Sequence, residues 1–118
     1  MNVYVVWSQP HDGEGDVYMG DHNIIGVYTN ELNAFKTASV KQVYEYMDKD
    51  YHDNVVENIK EWLYENPFPD AEEKDVNVWR GYFNLLSDDD FAYKIYGIST
   101  YDYIPLYNQY NVTKMELE

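Results

Sequence analysis

The period of the apolar positions changes along the chain. N-V-Y-V-V-W at residues 2–7 alternates, with Val3, Val5 and Trp7 on one side and Tyr4 and Val6 on the other. Apolar side chains on both sides predict a central strand. N-I-I-G-V-Y at 23–28 predicts a second strand, where Gly26 leaves room for a bulge or a closely approaching group. From Glu31 the spacing becomes three to four, placing Leu32, Phe35 and Ala38 inward on a helix that Thr29 or Asn30 caps. Ser39, with Gln42 three residues on, reads as a fresh N-cap, so a break is expected at 37–39. A long helix then fits residues 40–66. Val40, Val43, Tyr44, Met47, Tyr51, Val55, Ile59, Trp62 and Leu63 form its apolar face. Glu45, Lys49, Asp53, Glu57 and Lys60 lie opposite, with Tyr64 at the margin. Unbroken, it would run roughly 40 Å at about 1.5 Å per residue. Its weakest point is D-K-D-Y-H-D-N at 48–54, where Asp and Asn compete for backbone hydrogen bonds.

Asn66-Pro67-Phe68-Pro69 stops the helix, and D-A-E-E-K-D at 70–75 is a solvated connector or a single turn. Residues 76–86 admit two readings. One is a strand from Val76; the other is a helix with Val78, Tyr82, Leu85 and Leu86 inward, and Gly81 weakens both. F-A-Y-K-I-Y-G-I at 91–98 is read as a strand, and S-T-Y-D-Y-I-P-L-Y-N-Q-Y as a Tyr-rich loop. Y-N-V-T-K-M-E-L alternates without a cleanly apolar face, as an edge strand does. The expected architecture is one α+β domain over 1–118. Its sheet is small, antiparallel or mixed, with four or five strands packed against one or two helices.

Composition narrows the functional classes. Of the 118 residues, 45% are apolar and 18% aromatic, which argues against disorder despite a net charge of -14. The 14 tyrosines suit half-buried boundary positions, since each hydroxyl needs a partner. No cysteine is present, which excludes disulfides, thiolate catalysis and Cys-based zinc sites. With 22 acids against 8 Lys and Arg, the chain repels nucleic acid and anionic membrane. Its field favours a basic protein surface. The opening M-N-V-Y-V-V-W lacks a basic leader, so a cytoplasmic location is expected.

Catalytic and metal chemistry find few footholds. Asp12, Glu14 and Asp16 alternate in a Gly-rich loop and could wrap a cation. Val17 stands where a calcium loop needs Gly, and Asn23 replaces its final Glu, so a solvated hairpin loop is the plainer reading. A small hydrolase or metal-dependent enzyme would use His11, Asp12, Asp16 and His22, although neither H-x-H nor H-x-x-x-H occurs. His52 sits among helix acids. No serine lies in a G-x-S-x-G context, and no cofactor motif is found.

The acids themselves are the stronger pattern. Residues 45–75 hold eleven of them against three Lys, more than half of the total excess. Glu45, Asp53, Glu57, Glu61, Asp70, Glu72 and Glu73 are candidate docking residues, and Asp88, Asp89 and Asp90 form a second cluster. Such a surface also keeps a protein soluble without any partner. A third candidate is aromatic: Tyr96, Tyr101, Tyr103, Tyr107 and Tyr110, which would anchor an interface or pack beneath a helix.

The opening V-Y-V-V, the Gly/Asp loop, I-I-G-V-Y-T-N-E-L-N-A-F, the long helix and the closing Y-N-V-T-K-M-E-L-E resemble a loose group of small uncharacterised proteins. These are carried by phages and by the bacteria that host them. The resemblance covers roughly residues 2–47 and 110–118 and implies a mobile-element origin, with no catalytic residues. The expected function is therefore a non-enzymatic acidic module that docks on a basic or nucleic-acid-binding host protein. A structural or self-associating protein is the remaining alternative.

Overall fold

A computed structural model describes residues 1–11, 22–48, 53–70, 75–97 and 107–117. The chain is a mixed α+β fold, an antiparallel sheet packed against several helices. In chain order the elements are β1 (Asn2–His11), β2 (Asn23–Tyr28), α1 (Glu31–Met47), α2 (Asp53–Glu65), α3 (Val76–Leu86), α4 (Asp89–Tyr96) and β3 (Tyr107–Glu116). The sheet order is β2-β1-β3, so β1 is central and β3 lies at an edge, as the alternation predicts. The expected four or five strands reduce to three among the described residues, because both middle candidates are helices.

β1 runs past Trp7 through Pro10, beyond the 2–7 strand expected from the sequence. Pro10 is tolerated because of its register. It stands opposite Asn108, beyond the last β2 pairing at Ser8 and Asn23. The Asn108 N–H and C=O point away from β1, to Glu45 and Gln42, so the missing proline N–H breaks no ladder bond. β2 carries the anticipated irregularity, a register shift opposite Val6 and Trp7. The Tyr28 ring lies against Gly26, where an added Cβ would come within 2.9 Å of it.

α1 starts where expected. The Asn30 side chain accepts the Leu32 N–H at 2.9 Å. The break at 37–39 does not occur. The Ser39 hydroxyl donates back to the Phe35 carbonyl at 2.7 Å and fits inside a continuous helix instead of capping a new one. The long 40–66 helix is in fact two: α1 closes at Asp48 and α2 begins at Asp53, divided at the acidic patch that marks its weak point. Residues 76–86 take the helical reading. Asp75 accepts the Asn77 N–H at 2.9 Å, and Trp79, Tyr82, Phe83 and Leu86 turn inward while Val78 and Leu85 stay exposed.

The expected strand at 91–98 is α4. Asp88 caps it by accepting the Asp90 N–H at 3.0 Å, and Gly97, at φ 68°, closes it with N–H bonds to the carbonyls of Lys94 and Tyr93. Ala92, Ile95 and Tyr96 share its buried face.

Two cores meet on α1. Val6, Ala34, Ala38 and Phe83 join the sheet to α1 and α3. Val43, Tyr46, Val55, Ile59, Trp79, Leu86 and Ile95 fill the space between the helices. Among the described residues, Tyr46, Tyr82, Tyr96 and Tyr107 belong to the helical core. The Tyr46 hydroxyl donates to the Leu86 carbonyl and that of Tyr82 to the Asn66 carbonyl, each at 2.9 Å.

Burial pushes the Tyr82 phenol from 10.0 up to about 12. Tyr96 and Tyr110 are also raised, first by burial and then by the Glu45 charge. A raised phenol keeps its proton in the folded state after the unfolded one has lost it. Stability is therefore full below pH 10.0 and lost as pH climbs through about 12. Urea midpoints measured from about pH 8 to about pH 11 should stay level at first and then fall; a level curve throughout would contradict the burial of these phenols.

Candidate docking surface

α2 is built to face two ways. Val55 and Ile59 are fully buried and Trp62 and Leu63 half-buried, whereas Glu57, Lys60, Glu61, Tyr64 and Glu65 face solvent. Asp53, Glu57, Glu61 and Glu65 recur every four residues, which aligns them in one row along the helix. At 100° per residue Tyr64 projects from within that row, and it is 89% exposed. Asp53 and Asp89 are placed by their helix positions alone. Among the described residues, Glu57, Glu61 and Glu65 take part in no ion pair.

Helix physics opposes this arrangement. Like charges four apart cost about 0.2–0.5 kcal/mol per pair. Glu61 and Glu65 also stand in the C-terminal half, the negative end of the helix dipole, and the last turn carries no basic residue. Asp53, at the first residue, suits the dipole, but Glu57, Glu61 and Glu65 form a charge pattern held against the local stability of their own helix.

Beside it, a cleft of about 200 Å³ opens between α2 and α4, lined by Asn58, Glu61, Trp62, Glu65, Lys94 and Ile95. The Asn58 amide donates to the Ile95 carbonyl at 2.8 Å and ties the two helices together at its floor. Lys94 is the one cation of that lining. A second, more open depression of about 360 Å³ lies between α1 and β3, where Tyr44, expected inward, is exposed.

Other candidates fall elsewhere. Glu45 is half-buried and accepts the Asn108 N–H at 2.8 Å, so it fastens β3 to α1. Tyr107 is only 2% exposed and packs on Tyr46 and Tyr96, so it belongs to the core and not to an aromatic docking surface. Asp88 serves as the α4 cap, while Asp70 and Asp90 are exposed. Glu72, Glu73, Tyr101, Tyr103, His52 and the loop acids Asp12, Glu14 and Asp16 lie outside the described residues. His11 ends β1, and exposed His22 sits 4.8 Å from Trp7, ring to ring. Among the described residues, no group of three or more His, Asp or Glu could hold a metal ion. None of their helices is long and apolar enough to cross a membrane.

Sequence reasoning missed Gln42. Its side chain is fully buried, its carbonyl accepting the Tyr110 N–H at 2.9 Å and its amide donating to the Asn108 carbonyl at 3.2 Å. It pairs with the β3 edge as a neighbouring strand would. Arg80, the sole guanidinium, is likewise occupied, bonded to Glu31 and to Asn77 over the Phe35 ring. Comparison with protein-family models, with curated proteins and with solved structures finds no match.

Proposed function

We propose that this chain is a non-enzymatic protein-binding module whose outer α2 face docks on a basic protein surface. The observation that carries this reading is the carboxylate row with Tyr64 inside it, whose members Glu57, Glu61 and Glu65 are kept where they weaken their own helix. A surface needed only for solubility gains nothing from that placement, because acids scattered on loops would serve equally. Tyr64 supplies the rigid aromatic anchor and the carboxylates supply steering and register. The mobile-element origin implied by the sequence resemblance would make the partner a host protein with a nucleic-acid-binding face.

The experiment is capture of basic proteins from a host lysate. The wild type is compared with a Glu57→Gln/Glu61→Gln/Glu65→Gln variant at low and raised salt. Captured proteins should be basic, be released as salt rises, and be lost by roughly an order of magnitude or more in the variant. Undiminished capture by the variant would refute the α2 face.

A further inference from the structure

The sheet has a second face that the helices leave open. Val3, only 8% exposed, and the half-buried Val5 and Trp7 alternate away from the residues that meet α1 and α3, and none of the three joins either helical core. The exposed apolar residues beside them are Ile24, Val27 and Met115. Val5 lies beside Val27 on β2, and Val3 beside Met115 on β3. Trp7 is held in place by its indole N–H, which donates to the Thr113 hydroxyl at 2.9 Å. Ile24, opposite Trp7, is 72% exposed and Val27 is 60% exposed.

Charge sets this face apart. The chain carries 22 acids, yet none stands at the positions just named or at Met1, Ile24 and Leu117, which extend the patch. Lys114 and Glu116, the charged residues of β3, alternate to the other side. Two copies at -14 each repel one another over most of their surface. Here they can meet without burying a carboxylate. A basic partner finds no counter-charge on this face, and an anionic membrane is repelled by the whole.

We infer that the open sheet face is a self-association surface, on which a second copy of this chain packs face to face about a two-fold axis. The contact would be sheet on sheet, about 10 Å apart, with apolar side chains interdigitating. Seven residues of β1 at about 3.3 Å each, across three strands about 4.8 Å apart, give a patch of roughly 20 by 14 Å. That is smaller than the ~800 Å² per partner of a standard interface, so the dimer is weak and appears at high protein concentration. This surface is the far side of the sheet from the helices and does not depend on the α2 reading.

Sedimentation equilibrium of the full chain over a concentration series, at about 0.05 and about 0.5 M salt, reads it directly. Association should tighten with salt, because screening relieves the like net charge. Docking on a basic partner weakens under the same change, which keeps the two readings separable. Val27→Asp and Ile24→Asp change exposed side chains outside both helical cores. Either one places two unpaired carboxylates in a two-fold interface and should weaken association at least ~100-fold, with circular dichroism unchanged. If one variant fails to fold, the other is read. A chain that stays monomeric at about 1 mM, whether or not it binds neutral vesicles, would overturn the inference. So would association unchanged in both variants or loosened by salt.

Discussion

Tyr46→Ala is expected to destabilise the fold by about 4 kcal/mol, the range found when a large aromatic is cut from a packed core. Tyr46 is 1% exposed and its ring meets Phe91, Tyr96 and Tyr107. It therefore joins α1 to α4 and to the start of β3. Its hydroxyl also donates to the Leu86 carbonyl, at the end of α3. Tyr46→Phe separates the two contributions, since it keeps the ring and leaves that carbonyl without its donor, at about 1–2 kcal/mol. Urea unfolding at neutral pH measures both. Equal losses would assign the role to the hydroxyl alone and contradict the packing account.

Gln42→Leu should be nearly as damaging, about 3 kcal/mol, although it preserves volume and adds apolar character. The substitution strips partners from the Tyr110 N–H and the Asn108 carbonyl, two backbone groups on the sheet edge. Groups left unpaired on burial cost about 1–3 kcal/mol each. Native-state hydrogen exchange gives the specific readout, because the Tyr110 amide should lose protection before the β1–β3 ladder does. A neutral or stabilising Gln42→Leu would mean that the edge is satisfied in another way. The same geometry limits which edge another strand could reach, since Gln42 and Glu45 cover the first part of β3.

The strands were legible in the sequence because alternation and a charged closing strand agree with one another, although β1 runs on through Pro10, paired with Asn108, beyond the expected 2–7. The α1 start was legible from Asn30. α4 was not, because F-A-Y-K-I-Y satisfies a period of two as well as it satisfies three to four. The deciding signals flank it: Asp88 before the segment and Gly97 after it are a cap pair for an eight-residue helix. Ser39 misleads for a related reason, since a hydroxyl that bonds back to residue i−4 has the same sequence signature as one that caps. Glu45, Gln42 and Tyr107 could not have been assigned locally. Glu45 and Gln42 have backbone partners more than sixty residues away, and such pairings leave no spacing to read. The α2 row was legible as a wet face with Tyr64 at its margin, because the four-residue spacing lies in the sequence itself; the structure adds that Tyr64 is 89% exposed.

The central claim is that the α2 carboxylates serve binding at the expense of stability, and one paired measurement tests it. Thermal unfolding and partner affinity are determined on the same Glu57→Gln/Glu61→Gln/Glu65→Gln preparation. Removing the like-charge pairs and the charge at the helix C-terminus should raise the melting temperature by about 3 °C. Affinity for the captured basic partner should fall by at least ~10-fold in the same sample. A variant that melts higher and binds as the wild type does would show that the row is only a solvated surface.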